Sequence, residues 1–271
     1  MKLDIYQVDA FTSNLFGGNP AAVVPLESWL DDETMLSIAA ENNLSETAFF
    51  VNSDEVFELR WFTPTIEVPL CGHATLASSY IIFNELGFAG EEIVFKTRKA
   101  GDLKVTRDGE RYLMDFPGYE MKEIEPIEGL RTAEFSPLRY LESQGNMIFL
   151  IMDSQSTVAE FEPDMAKIAE LPYQEVIITA KGDDCDFVSR MFAPRIGIPE
   201  DPVTGAIHCS LVPYWAGELG KNELFARQVS KRGGELFCEL AGTRVKIGGK
   251  AVTYLKGEIY VEAGSKKSIA A

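Results

Sequence analysis

Apolar and polar residues change their period several times along this 271-residue chain, and the changes mark its elements. Residues 3–11 (LDIYQVDAF) alternate, as a half-buried strand does. Phe16-Gly17-Gly18-Asn19-Pro20 is a turn by residue type, and Ala21-Ala22-Val23-Val24 resumes as a buried strand. Leu30-Asp31-Asp32-Glu33 places acids at a helix start, where they complement the positive end of the macrodipole. That helix carries Met35, Leu36, Ile38 and Ala39 at helical spacing and stops near Asn42-Asn43. Strands are predicted at 44–51 and 56–62. From His73 to Gly87 the chain is apolar on most sides, which predicts a buried central helix with Gly87 as its stop. Short strands follow at 92–97, 101–107 and 111–116.

The same order then returns. A strand at 147–152, a helix at 163–170 and a strand at 175–180 lead through Phe187–Ala193 to a second apolar helix from Ala206 to Gly220, with Pro213 expected to kink it. Strands at 224–230, 235–240, 243–247 and 251–261 complete the second half, and a frayed tail is expected from Ser265. Residues repeat as well as periods. Arg60, Phe62, Pro64, Ile66 and Pro69 return as Arg190, Phe192, Pro194, Ile196 and Pro199, at a constant offset (190 − 60 = 130). Three residues are then read as inserted, with Asp201 among them, and Gly72 returns as Gly205 (205 − 72 = 133). Gly101 and Gly109 return as Gly234 and Gly242 at the second offset. A repeat this long predicts duplicated domains. They are placed at 1–118 and 119–271, the join lying in the Glu-, Pro- and Gly-rich stretch 119–145. Each half reads as mostly antiparallel strands around one apolar helix, an α+β class.

Composition narrows the function. The apolar fraction, 46%, is enough for two cores. A net charge of −17 argues against a nucleic-acid or anionic-membrane surface, which needs a basic footprint. It leaves room for an anionic small molecule, because helix N-termini bind anions locally. The start, Met1-Lys2-Leu3-Asp4, lacks the apolar run of a signal peptide, and no stretch reaches about 18 apolar residues. Cys71, Cys185, Cys209 and Cys238 form no Cys-x-x-Cys pair, so reduced thiols in a cytoplasmic protein are expected. No dinucleotide fingerprint or P-loop is present, and no cofactor or metal is expected.

Candidate chemistry gathers at the two apolar helices. Their starts, Gly72 and Gly205, carry no bulky side chain, and pseudo-symmetry would make the two N-termini face each other across a cleft as a carboxylate site. The alternative is that both are simple turn glycines. His73 lies in the first helical turn, where the dipole favours a neutral imidazole. His208, one turn further along its own helix, reads as a packed residue, and two histidines without paired cysteines make a poor metal site. Glu46 opens an apolar strand, where partial burial would raise its pKa and make it a proton acceptor. Its counterpart is Glu175 (175 − 46 = 129). Asp201 stands just ahead of the second helix, where an acid is often only a cap.

These stretches together resemble the PhzF (phenazine-biosynthesis-like) proteins along nearly the whole chain. The matching segments are Phe16 to Val24, Leu44 to Phe49, Arg60 to Pro64, Cys71 to Ala77, Phe192 to Gly205 and Arg232 to Glu235. The resemblance implies a diaminopimelate-epimerase-like fold: two pseudo-symmetric domains, each a barrel-like sheet around a central helix, with a cleft active site, no cofactor and commonly a homodimer. It implies that Glu46 moves a proton between carbons of a cyclohexadiene amino acid, while His73 and Asp201 bind and orient polar groups. Ser45, Gly72, Gly205 and Ala206 would line the same site. Ala206 departs from the family, which often has Ser there. Cys71 stands at one of the two thiol positions of the epimerases, but Thr204 stands at the other, so a two-thiol mechanism does not fit. An isomerase is therefore expected. The alternatives are a two-base racemase using Glu46 with Cys71 or Asp201, a non-catalytic binding protein, and a redox role for Cys71, which requires a depressed thiol pKa.

Overall fold

The computed structural model describes residues 1–53, 56–127 and 136–262. The first half contains β1 (Lys2–Ala10), β2 (Asn19–Leu26), α1 (Asp32–Asn42), β3 (Glu46–Ser53), β4 (Val56–Phe62), β5 (Glu67–Val68), α2 (Gly72–Asn84), β6 (Glu92–Thr97), β7 (Asp102–Asp108) and β8 (Arg111–Pro117). After β9 (Lys122–Glu123) the second half contains β10 (Arg139–Ser143), β11 (Met147–Ile151), α3 (Gln155–Ala159), α4 (Met165–Glu170), β12 (Glu175–Lys181) and β13 (Phe187–Ala193). A 3-10 turn (Pro194–Ile196) then leads to β14 (Ile198–Asp201), α5 (Gly205–Leu219), β15 (Glu223–Gln228), β16 (Gly234–Ala241), β17 (Arg244–Gly249) and β18 (Ala251–Tyr260). The frayed tail expected from Ser265 and part of the expected join lie outside the described residues. No helix among the described residues is long and apolar enough to cross a membrane.

Hydrogen bonds order the strands β18, β1, β2, β3, β4, β6, β7, β8 and then β17, β16, β15, β13, β12, β11, β10, β9, with β5 and β14 attached to β4 and β13. The order is the same from either end. At its centre Met114 of β8 pairs with Ile247 of β17, its own counterpart (247 − 114 = 133). Most pairings are antiparallel. The parallel ones, β2–β3, β4–β6, β11–β12 and β13–β15, are those joined through helices, as crossover geometry requires.

Two expectations are corrected here. The strand expected at 251–261 does not complete the second half: β18 pairs with β1, from Lys2↔Tyr260 to Ala10↔Ala251, while the short β9 pairs with β10. The chain's β18 thus lies against the first half, while β9, just past the first half, occupies the equivalent place beside β10, an arrangement that linear order cannot reveal. The three extra residues also lie elsewhere. Trp61 pairs with Val68 in one half and Met191 with Asp201 in the other, so Asp201 occupies the place of Val68. The insertion is the 3-10 turn at Pro194–Ile196, and Asp201 belongs to the framework.

Alternation explains the layers. In β2 and β3, Ala21, Val23, Ala48 and Phe50 point into the main core with α2, whereas Ala22, Val24, Phe49 and Val51 point outward beneath α1. In β11 and β12, Phe149 and Ile177 point inward, and Ile148, Leu150 and Ile178 point outward beneath α3 and α4. Strands covered on both faces read as unbroken apolar runs. The helix α5 continues through Pro213. That residue has no N–H for the carbonyl four positions back, and Cys209 O accepts from Tyr119 N–H instead (2.8 Å).

Candidate active site

The repeated Arg-x-Phe motif is a clamp. Arg60 makes a bidentate bond to Glu67 (Nε–Oε1 2.7 Å, Nη2–Oε2 2.8 Å) and lies 4.9 Å over the Phe62 ring. Arg190 does the same with Glu200 (2.7 and 3.0 Å) and Phe192 (5.0 Å). Both arginines are buried, and forked carboxylate pairing fixes orientation as well as distance. The clamps hold β5 and β14, and those strands run directly into the N-termini of α2 and α5.

The two N-termini meet. A Cβ on Gly72 would lie 3.7 Å from Gly205 Cα, and one on Gly205 would lie 3.8 Å from Gly72 Cα. Neither glycine has positive φ, so neither is required by a left-handed turn. Neither Cys71 nor Thr204, the two cap positions, caps its helix through a side-chain hydrogen bond. The first-turn amides of both helices are therefore open to an anion.

A polar cluster surrounds this meeting point. Glu46 opens β3 and places Oε2 3.1 Å from Nε2 of His73, the second residue of α2. The contact is a buried ion pair. Asn19, the first residue of β2, directs Nδ2 at Asp201 Oδ1 (2.7 Å), at Val203 O (2.9 Å) and towards His73 Nδ1 (3.2 Å). An amide has only two hydrogens, and the oxygens are the natural acceptors. Nδ1 is then free to carry a proton of its own, directed at Cys71 Sγ 3.5 Å away. Asp201 also accepts from the Thr204 hydroxyl, and Gln228 ties the turn together through Asp201 O (2.8 Å) and Thr204 N–H (2.8 Å).

Charge in the cluster is divided unevenly. Burial pushes the Glu46 carboxyl up, but the charge and N–H of His73, with help from Cys71, outweigh it and hold Glu46 below the usual glutamate value. Burial opposes a charge on His73; the Cys71 sulfur and the Glu46 carboxylate beside it favour one, and His73 is raised well above the ordinary histidine value. Burial also pushes the Cys71 thiol to about 11, so it is neutral at pH 7 and the anion beside His73 is Glu46. Three expectations change. Glu46 is lowered on balance despite burial, His73 is shifted towards the cation despite its helix dipole, and Cys71 lacks the depressed pKa of a redox thiol. The raised carboxyls are Asp201, mainly through burial, and Glu175, which burial and Asp201 push up to about 7.

Of the residues singled out from sequence, Glu46, His73, Asp201, Gly72 and Gly205 come together. Ser45 lies exposed at the bend before β3, and Ala206 lies exposed on the first turn of α5. His208 is packed as expected: Nδ1–H donates to Thr204 O (2.8 Å) and burial lowers its pKa to about 4. Asn19 and Gln228 were not foreseen. Asn19 lies in the turn and in the family-like segment Phe16 to Val24, and an Asn opening a buried strand is a polar group in need of partners. Gln228 carries no local signal. Glu46, Cys71 and His73 each offer a metal-ligating atom, all within 4.8 Å of one another, although both His73 nitrogens already face partners.

The family model described as "Phenazine biosynthesis-like protein" matches residues 8–257. The chain belongs to the PhzF family. An uncharacterized isomerase of Pseudomonas aeruginosa is 48% identical over 96% of this chain and 99% of its own length. The crystal structure of a PhzF-family protein from Enterococcus faecalis superposes with a TM-score of 0.92 at 44% identity, covering 96% of this chain and all of that one. A hydroxyproline epimerase from Agrobacterium vitis matches at TM-score 0.59 and 11% identity over 95% of this chain and 92% of that one, a likeness of fold alone. The fold is thus the epimerase-like fold of PhzF proteins, and the chain is an isomerase of that family.

Proposed function

We propose that this PhzF protein moves a proton between carbons of a small, carboxylate-bearing cyclic amino or hydroxy acid without a cofactor, with Glu46 as the general acid–base. One observation carries the reading: a carboxylate held ionised by His73, 3.1 Å away, stands where two uncapped helix N-termini meet. Taking a proton from carbon requires a base and a place for the resulting charge. Glu46 supplies the base, and the first-turn amides with the His73 cation supply the electrostatic stabilisation. Asp201, fixed by Asn19 and Thr204, orients a polar group of the substrate. Clefts of this kind work with water excluded, and the Glu46 and His73 side chains are mostly buried.

The test is proton exchange followed by NMR in deuterated buffer, with cyclic unsaturated amino acids offered to wild type and Glu46→Gln. Deuterium entering at carbon with wild type and not with the variant supports the assignment, and full exchange in the variant sinks it. A second reading, epimerisation with two proton carriers, is favoured by the neutral Cys71 thiol 3.5 Å from His73. Equal labelling of both stereoisomers at one carbon distinguishes it from a positional shift.

A further inference from the structure

Glu46 and Glu175 open equivalent strands: Ala21 pairs with Glu46 between β2 and β3, and Met147 pairs with Glu175 between β11 and β12. The fold therefore places a carboxyl at the same position in each half, but the surroundings differ. The place of His73 is taken by Ala206 in the second half, that of Cys71 by Thr204, and that of Val68 by Asp201. Glu46 stands 3.1 Å from His73, whereas the second half offers Glu175 no histidine at the equivalent place. Glu175 Oε2 is buried and has no hydrogen-bond partner. Its strand neighbour Met147 is uncharged, and among the described residues the charge acting on it is Asp201. Asp201 is bonded to Asn19 in this cluster, and by strand equivalence Glu175 holds beside the start of α5 the place that Glu46 holds beside the start of α2, where the two helices meet. Burial pushes this carboxyl up to about 7, and its buried Oε2 has no hydrogen-bond partner.

Resting on the proton-transfer reading above, we propose that Glu175 is the neutral acid of the cleft, offering its O–H to the substrate carboxylate as Glu46 removes the carbon-bound proton. As the C–H bond breaks, its electron pair moves into conjugation with the carboxylate and forms an ene-diolate. One ene-diolate oxygen takes the Glu175 proton while Glu46 becomes the acid. When Glu46 returns its proton to a second carbon, the electron pair moves back and Glu175 recovers its own proton. The cycle closes with no co-reactant. Two carboxyls whose environments separate their protonation states are the physical signature of such a base and acid pair.

The test uses the whole protein carrying ¹³C at glutamate Cδ, with Glu175→Gln to assign the resonance and 2-aminobenzoate, a planar cyclic amino acid, as the probe. The assigned carboxyl is expected to titrate near pH 7 and to move higher when the probe binds. Probe affinity is expected to fall about tenfold per pH unit above that point. In Glu175→Gln that dependence disappears while the melting temperature shows the fold intact, a result that a merely structural role does not produce. Titration in the ordinary carboxylate range overturns the proposal, as does a probe that fails to bind or binds wild type without this pH dependence. The two readings fail separately. Normal exchange in Glu46→Gln with Glu175 titrating near 7 sinks only the base assignment, and an ordinary Glu175 titration with Glu46→Gln inactive sinks only this one.

Discussion

Replacing Glu175 with Gln is expected to stabilise the protein, and only at higher pH. In the native state burial and Asp201 hold this carboxyl at about 7 instead of 4.5. The sign follows from linkage. Between those values the unfolded chain gives up its proton and the folded one keeps it, so folding loses stability as pH rises from 4.5 to 7, and the loss is constant above. At about 1.36 kcal/mol per pH unit the full cost is ~3 kcal/mol, and partial exposure of the side chain lowers it to about 2. Glutamine keeps the shape and cannot ionise. Urea unfolding of wild type and Glu175→Gln, compared at pH 4 and pH 8, is expected to give near-equal stability at the lower pH and an advantage of about 2–3 kcal/mol for the variant at the higher. A difference that stays constant across the range, or a variant less stable at pH 8, refutes the argument that Glu175 is buried against an anion.

Other consequences follow from the same geometry. His73→Gln leaves burial opposed only by Cys71 at Glu46, so the acidic limb of the exchange-rate profile is expected to move to higher pH; an unmoved limb means that His73 does not set the state of Glu46. In wild type the Glu46–His73 pair contributes fully between the ordinary values of 4.5 and 6.5. Its contribution fades as pH falls through the lowered value of Glu46 or rises through the raised value of His73, a window visible in the difference between wild-type and Glu46→Gln,His73→Gln unfolding curves. Arg60→Met strips Glu67 of its forked partner and is expected to cost about 3 kcal/mol in chemical denaturation, with loss of exchange activity as β5 and the start of α2 loosen. Cys71, with its thiol near 11, is expected to resist iodoacetamide at pH 7 until the protein is unfolded; rapid native alkylation contradicts that environment.

Much of this was legible in the chain. The apolar helices predicted from His73 and Ala206 are α2 and α5, each starting one residue earlier, and the repeat of Arg60, Phe62 and Gly72 at Arg190, Phe192 and Gly205 identified the two halves. The clamps explain why those residues recur: the recurrence records a requirement on helix position. What escaped was decided by pairing across long separations. The two-residue strands β5 and β9 have no period to detect. The place of the three-residue insertion became visible only from Met191 pairing with Asp201. The protonation states escaped for the same reason. Burial alone argues that Glu46 should be raised, and the contact that reverses this comes from an element 27 residues away (73 − 46 = 27).

The pairing of β18 with β1 bears on how the protein is made. The first half is synthesised through β8 by residue 117, but the strand that covers the outer edge of β1 begins at residue 251. At translation rates of about 5–20 residues per second, the nascent first domain waits roughly 7–27 seconds with that edge unpaired. An open edge is a template for the wrong partner, another nascent chain included. When β18 emerges it closes the sheet and brings Val261 N–H onto Met1 O at 2.9 Å, so residues made some 260 positions apart are bonded to each other (261 − 1 = 260). A chain shortened by only its final strand therefore damages the half that was synthesised first.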